Sequence, residues 1–148
     1  MRVSGYIMNE FQKRLQGLLD ENGLSRLELS KRIGISFETL NGYFNKNFYP
    51  EISVAKKIVK YFGCSLDYLM GLDEDFEKHD KNSISFAETL KKLLKENKLS
   101  PEKLMHALNM SEANYYRWQS GKTKPAMNSL IEIAKFFNVS IDYLVWGE

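Results

Sequence analysis

The chain has 148 residues, 43% hydrophobic and 27% charged. That is the balance of a soluble globular protein, with room for one ordinary domain or two small ones. A net charge of +2, from 21 basic and 19 acidic residues, permits a nucleic-acid partner without demanding one. No apolar run approaches the ~18 residues of a membrane span, and MRVSGYIMNEF at the N-terminus lacks the apolar core and cleavage site of a secretory signal. Cys64 is the single cysteine, which excludes an intrachain disulfide and is natural to a reducing cytosol.

The first predicted element follows that N-terminal decapeptide. Phe11, Leu15, Leu18 and Leu19 recur at helical spacing on one face. Asn22-Gly23 ends this helix, and Ser25 stands where the N-cap of a second belongs, with Glu28 at capping-box distance. The second helix runs to about Ile33. Gly34-Ile35 then forms a turn so tight that it needs a residue at positive φ, after which Ile35 can plug the core. Ser36 caps a third helix ending near Asn45, and Val54 to Phe62 form a fourth. Ser65 caps a short fifth, with Asp67 in its first turn where the helix dipole favours negative charge.

The same elements then recur. FQKRLQGLLDENGLS (11–25) lies over FAETLKKLLKENKLS (86–100), and the offset of 75 residues holds without a gap to the chain end. Pro50 falls on Pro125, and CSLDYL (64–69) on VSIDYL (139–144). About 18 of roughly 63 aligned positions are identical, including polar ones that apolar periodicity would not reproduce. Phe86, Leu90, Leu93 and Leu94 restate the first apolar face. Asn97-Lys98 ends that helix, Ser100 caps the next, and Pro101 takes the first helical position, where its missing N–H costs nothing. This second helix reaches about Leu108. Asn109, the residue most tolerant of positive φ after glycine, replaces Gly34, and Met110 replaces Ile35. Ser111 caps a helix ending near Gly121, Ser129 to Phe137 form the next, and Ser140 caps the last, with Asp142 in its first turn. With no convincing period-2 strand, the class is all-α.

The expected organisation is a first domain over 1–72, a linker over 73–85 and a second domain over 86–148. Each domain lies near the lower size limit for a core that folds unaided. The linker DEDFEKHDKNSIS is polar, without a helical apolar stripe; residues 74–85 carry −2, against +2 for each of 1–73 and 86–148.

Ser25-x-x-x-Leu29 followed by Gly34-Ile35-Ser36 resembles the helix-turn-helix of the phage Cro/repressor (XRE-type) family, and SPEKLMHALNMSEANYYRWQSGKTKP (100–125) resembles it more fully. The resemblance implies two tandem lambda-repressor-like domains of four to five short helices each. It implies a sequence-specific binder of double-stranded DNA, a transcription regulator acting as a repressor by operator occlusion. It further implies a bacterial or phage origin and a cytoplasmic location. In YYRWQSGKTKP (115–125), Tyr115 and Trp118 are three apart and can face the core, while Tyr116 looks outward and Arg117, Lys122 and Lys124 flank it.

A recognition helix places its N-terminal residues against base edges. The resemblance therefore assigns base contacts to Phe37, Glu38 and Asn41 in the first repeat, and to Glu112, Ala113 and Tyr116 in the second. Glutamate can accept from cytosine N4, and Phe or Ala can touch a thymine methyl. Phosphate contacts fall to Arg26, Ser36, Asn45, Lys46 and Asn47, and to Ser111, Arg117, Lys122 and Lys124. Each of these is equally readable as a solvated surface residue. The family often begins its second helix with glutamine, where this chain has Arg26 and Pro101. The first repeat has Asn41-Gly42 for Tyr116-Arg117, and Lys46-Asn47 for Gly121-Lys122, which makes the second repeat the safer reader of DNA.

Other chemistry finds little support. Cys64 aligns with Val139 and reads as a small buried apolar residue. His79 lies in the linker and His106 on a polar helix face, so no metal site is expected. No cofactor, small-molecule effector or catalytic nucleophile is implied, and the chain is not expected to be an enzyme. Trp146 either covers the last helix or forms a dimer contact. Two readers in one chain can act as a pseudo-dimer: a linker of roughly 13 residues spans at most ~45 Å, against the ~34–36 Å between half-sites of family dimers. A homodimer is also open. The competing expectation is a protein-binding module, such as an antitoxin or an inhibitor of another regulator. Such a module would present the third helix and the aromatics of FNKNFYP (44–50) to a protein.

Overall fold

The computed structural model describes residues 2–3, 6–46, 48–77 and 82–147, and the chain divides into two compact units, residues 1–79 and 80–148. The first unit opens with two antiparallel two-residue strands, β1 (Arg2–Val3) and β2 (Tyr6–Ile7), paired Arg2 with Ile7 and Val3 with Tyr6. No strand is expected here from the sequence, because two residues are too few to display alternation. Helices follow: α1 (Glu10–Glu21), α2 (Arg26–Ile33), α3 (Phe37–Gly42), α4 (Ile52–Phe62) and α5 (Leu66–Leu69). The second unit holds α6 (Phe86–Glu96), α7 (Pro101–Ala107), α8 (Glu112–Ser120), α9 (Met127–Phe137) and α10 (Ile141–Val145). The fold is all-α in class.

Local chemistry accounts for most of the boundaries. Ser25, Ser36, Ser65, Ser85, Ser100, Ser111 and Ser140 each sit at an N-cap with the side-chain oxygen accepting from the backbone N–H three residues on. Ser25 and Glu28 complete a reciprocal capping box. Gly34 has φ +73° and Asn109 φ +51°, as the tight turn between second and third helices requires. Three boundaries differ from expectation. α4 and α9 begin two residues early, at Ile52 and Met127, because their N-caps Glu51 and Ala126 make no side-chain cap bond and so leave no local signal. α3 ends at Gly42, and the chain continues to Asn45 through tighter bonds from Tyr43, Phe44 and Asn45 N–H to the carbonyls three residues back.

The cores match in kind. Phe11, Leu15, Leu18 and Leu19 are buried in the first unit, and Phe86, Leu90, Leu93 and Leu94 in the second. In the first unit α2 packs on α3 and α4, while α1 and α4 meet α5; in the second, α8 packs on α6 and α7, and α10 on α6 and α9. Phe11 meets Tyr43 edge-on at 5.9 Å, and Phe86 meets Trp118 edge-on at 5.8 Å, so equivalent residues build the same aromatic joint. Ile35 and Met110, expected to plug the core, are only half-buried, whereas Leu29 and Leu40, and Leu104 and Tyr115, are buried. Cys64 is fully buried.

The stretch 73–85 is anchored at both ends. Arg14 donates to the Asp73 carbonyl and pairs with Glu74 at 2.9 Å, while the Phe76 carbonyl accepts from Ser65 N–H. On the other side Asn82 donates to Thr89 Oγ1 and to the Tyr143 carbonyl. His79 lies outside the described residues. No helix among the described residues is long and apolar enough to cross a membrane.

Candidate nucleic-acid interface

In the second repeat α8 separates two faces. Tyr115 and Trp118 point into the core at 3% and 7% exposure, and burial pushes the Tyr115 hydroxyl above its usual range. Tyr116 between them is 47% exposed, and Glu112, Ala113 and Arg117 are exposed with it. Spacings of three to four residues on a helix impose this division, so one helix serves core and surface together. Ser111 caps α8 through Asn114 N–H. Gly121, at φ +78°, ends it: Lys122 and Thr123 N–H turn back to the Arg117 carbonyl, leaving Lys122 and Lys124 on an exposed turn beyond. Among the described residues none of Arg117, Lys122 and Lys124 is ion-paired. Three cations and one anion, Glu112, occupy residues 111–126.

The first repeat is built differently. α3 is six residues against nine in α8. Phe37 is 42% exposed with Glu38 exposed beside it, and Ser36 caps α3 through Thr39 N–H while its hydroxyl reaches Thr39 Oγ1. Asn41 is half-buried, its Oδ1 accepting from Arg26 Nη1 at 2.8 Å. The Arg26 guanidinium lies 3.8 Å from the centre of the Phe44 ring and reaches Gln16 Oε1 at 3.4 Å, and partial burial lowers its pKa. Arg26 is thus turned to its neighbours on α1 and α3. Asn45 and Lys46 are exposed, Lys46 with its Nζ 5.6 Å from the Phe48 ring; Asn47 lies outside the described residues.

The residue that holds this turn is not among those expected from the sequence. Gln12, fully buried on α1, completes a capping box with Asn9 through Oε1 and donates through Nε2 to the Tyr43 and Lys46 carbonyls. Its equivalent in the second repeat is Ala87. A glutamine in an otherwise apolar face, three residues after an asparagine, carried the local half of that signal. Conversely, Gln119 stands where the first repeat has buried Phe44, and its amide atoms are buried without a hydrogen-bond partner among the described residues.

Comparison with known proteins agrees with the internal repeat. Similar chains include the HTH-type transcriptional activator BcrR of Enterococcus faecalis, 42% identical over 65 residues, 44% of this chain and 32% of that one. The uncharacterized HTH-type transcriptional regulator YqaE of Bacillus subtilis is 35% identical over 63 residues, 43% of this chain and 54% of its own. A putative HTH-type transcriptional regulatory protein of Sulfolobus acidocaldarius is 29% identical over 113 residues, 75% of this chain and 34% of its own. The chain therefore spans a third to about half the length of these relatives. No solved structure matches. The Helix-turn-helix family matches residues 15–69 and again residues 90–144, the same 75-residue offset read from the sequence. The chain belongs to the helix-turn-helix family and carries two copies of its domain in tandem.

Proposed function

We propose that this chain is a sequence-specific double-stranded-DNA-binding transcription regulator, built as domains 1–72 and 86–148 joined through 73–85, whose second repeat is the principal reader. The observation that carries this reading is the outer surface of α8. A well-ended helix holds Tyr116 outward from two buried aromatics, with exposed cations at its C-terminal end and on the following turn that have no ion pair among the described residues. Glu112, Ala113 and Tyr116 meet base edges in the major groove, and Ser111, Arg117, Lys122 and Lys124 hold phosphates. The related chains are named as transcription regulators. In the first repeat Phe37, Glu38 and Asn41 occupy the equivalent surface, with Arg26, Ser36, Asn45 and Lys46 around it. Regulation follows by occupying an operator and excluding polymerase.

Selection from a random duplex library, with wild type and Arg117→Ala/Lys122→Ala in parallel, tests the reading. A motif enriched by the wild type and lost in the variant supports it. A motif that survives the variant transfers the reading to the first repeat, and no enrichment at low salt ends it. In vitro transcription from the selected operator should fall on addition of the protein; a rise would replace occlusion with activation, the role in the name of the Enterococcus relative.

A further inference from the structure

The first repeat differs most from the second beside its third helix. A cleft of about 380 Å³ opens there between α3 and the start of α4, with Glu38, Gly42, Phe48, Tyr49 and Glu51 on its walls. Phe48 and Tyr49 are 48% and 39% exposed. Adjacent exposed aromatics lining a concave surface are characteristic of a binding site rather than of scattered surface residues. Glu51 is the N-cap of α4, yet its side chain makes no cap bond. Among the described residues neither Glu38 nor Glu51 is in an ion pair. Burial first, and the nearby Glu51 carboxylate second, push the hydroxyl of Tyr43, on the cleft wall, above its usual range.

We propose that this cleft docks a basic segment of a partner protein, with a lysine or arginine side chain entering against Phe48 and Tyr49 and facing the carboxylates of Glu38 and Glu51. Charge complementarity selects the occupant. Aromatic faces and unpaired carboxylates both attract a cation, and the chain's own Lys46 ammonium already stands 5.6 Å from the centre of the Phe48 ring. The same charges repel the phosphates of duplex DNA. The second repeat shows what a phosphate-compatible version contains: Ala113, Arg117, Thr123, Lys124 and Ala126 stand where the cleft has Glu38, Gly42, Phe48, Tyr49 and Glu51. Both carboxylates and both aromatics of the cleft are gone there, and two cations appear. The inference does not rest on the second repeat reading DNA.

The test is panning of a displayed library of random short peptides on the full chain at low salt, with Phe48→Ala/Glu51→Gln as the counter-selection. The expected result is enrichment of peptides rich in lysine or arginine. Synthesised singly, they should bind the variant about tenfold more weakly or worse, the size of loss typical of a truncated interface anchor. Glu38→Lys/Glu51→Lys should turn the preference toward acidic peptides. Helical circular dichroism should be unchanged in both variants, since the altered side chains are exposed, and Phe48→Ala/Glu51→Gln should leave binding to arbitrary duplex no weaker. The proposal is overturned if no cleft-dependent peptide is enriched or if enriched peptides are neutral or acidic. It is equally overturned if Phe48→Ala/Glu51→Gln weakens duplex binding, because this face would then read DNA.

Discussion

Residues 36–51 and 111–126 occupy the same place in their repeats and share only the capping serine and the proline. Their inward side chains still do the same work. Leu40 and Tyr115 are both buried, and Tyr43 and Trp118 make the same edge-on contact with Phe11 and Phe86. Their outward side chains have parted, toward carboxylates and aromatics in one and cations in the other. The helix ends differ as well, one held by Gln12 from another helix and the other by its own Gly121. Packing density constrains the interior of a small domain tightly, whereas the exposed face of a helix-turn-helix can change its ligand without disturbing what lies beneath.

Exchanging cations between the repeats should have the largest effect. Arg117→Ala/Lys124→Ala should lower the slope of log K against log salt for duplex binding by about two. The reverse change, Gly42→Arg/Tyr49→Lys, should raise it; beyond Gly42's chain neighbours and its own helix backbone nothing lies within 4 Å of where a Cβ would stand, so a side chain can start there without a clash. Equal slopes for all three proteins would erase the distinction between the repeats.

Gln12→Ala should give the largest stability change. It strips one buried and one part-buried carbonyl of their Gln12 donor and should cost about 2–3 kcal/mol in the first repeat. Both tryptophans, Trp118 and Trp146, lie in the second repeat. Denaturation followed by circular dichroism should therefore shift while tryptophan fluorescence does not. The opposite change belongs to the other repeat: Gln119→Met replaces an unpartnered buried amide and should stabilise it by about 1 kcal/mol, visible in the fluorescence transition.

Gly34→Ala should cost about 1 kcal/mol. Space is not the obstacle, since a Cβ there would meet nothing within 4 Å, but φ +73° is. Gly34→Asn should cost less, because Asn109 already holds φ +51° at the equivalent turn. The smallest effect is one of pH. The Ser25 backbone N–H, then its hydroxyl, hold the Glu28 carboxyl below its usual range. A depressed folded pKa stabilises above the unfolded value, near about 4.3 for glutamate, and that stabilisation is lost as pH falls through the folded one. Glu28→Gln should flatten this acid-side slope in the first repeat. The second, with Lys103 at that position, has no such contribution to lose.

The sequence alone determined what depends on neighbours within about four residues. Serine caps, the positive φ at Gly34 and Asn109, the apolar faces of α1 and α6, and the inward and outward sides of α8 all follow from local hydrogen bonds and helical spacing. The 75-residue repeat supplied the register between copies. Tertiary structure alone decided the rest. Gln12 reaches carbonyls 31 and 34 residues away, Arg26 holds an amide 15 residues on, and Glu38, Phe48, Tyr49 and Glu51 come together only because the turn after α3 folds back beside it. Such contacts depend on how helices pack, and packing is set by side chains distant in sequence, which no local pattern records.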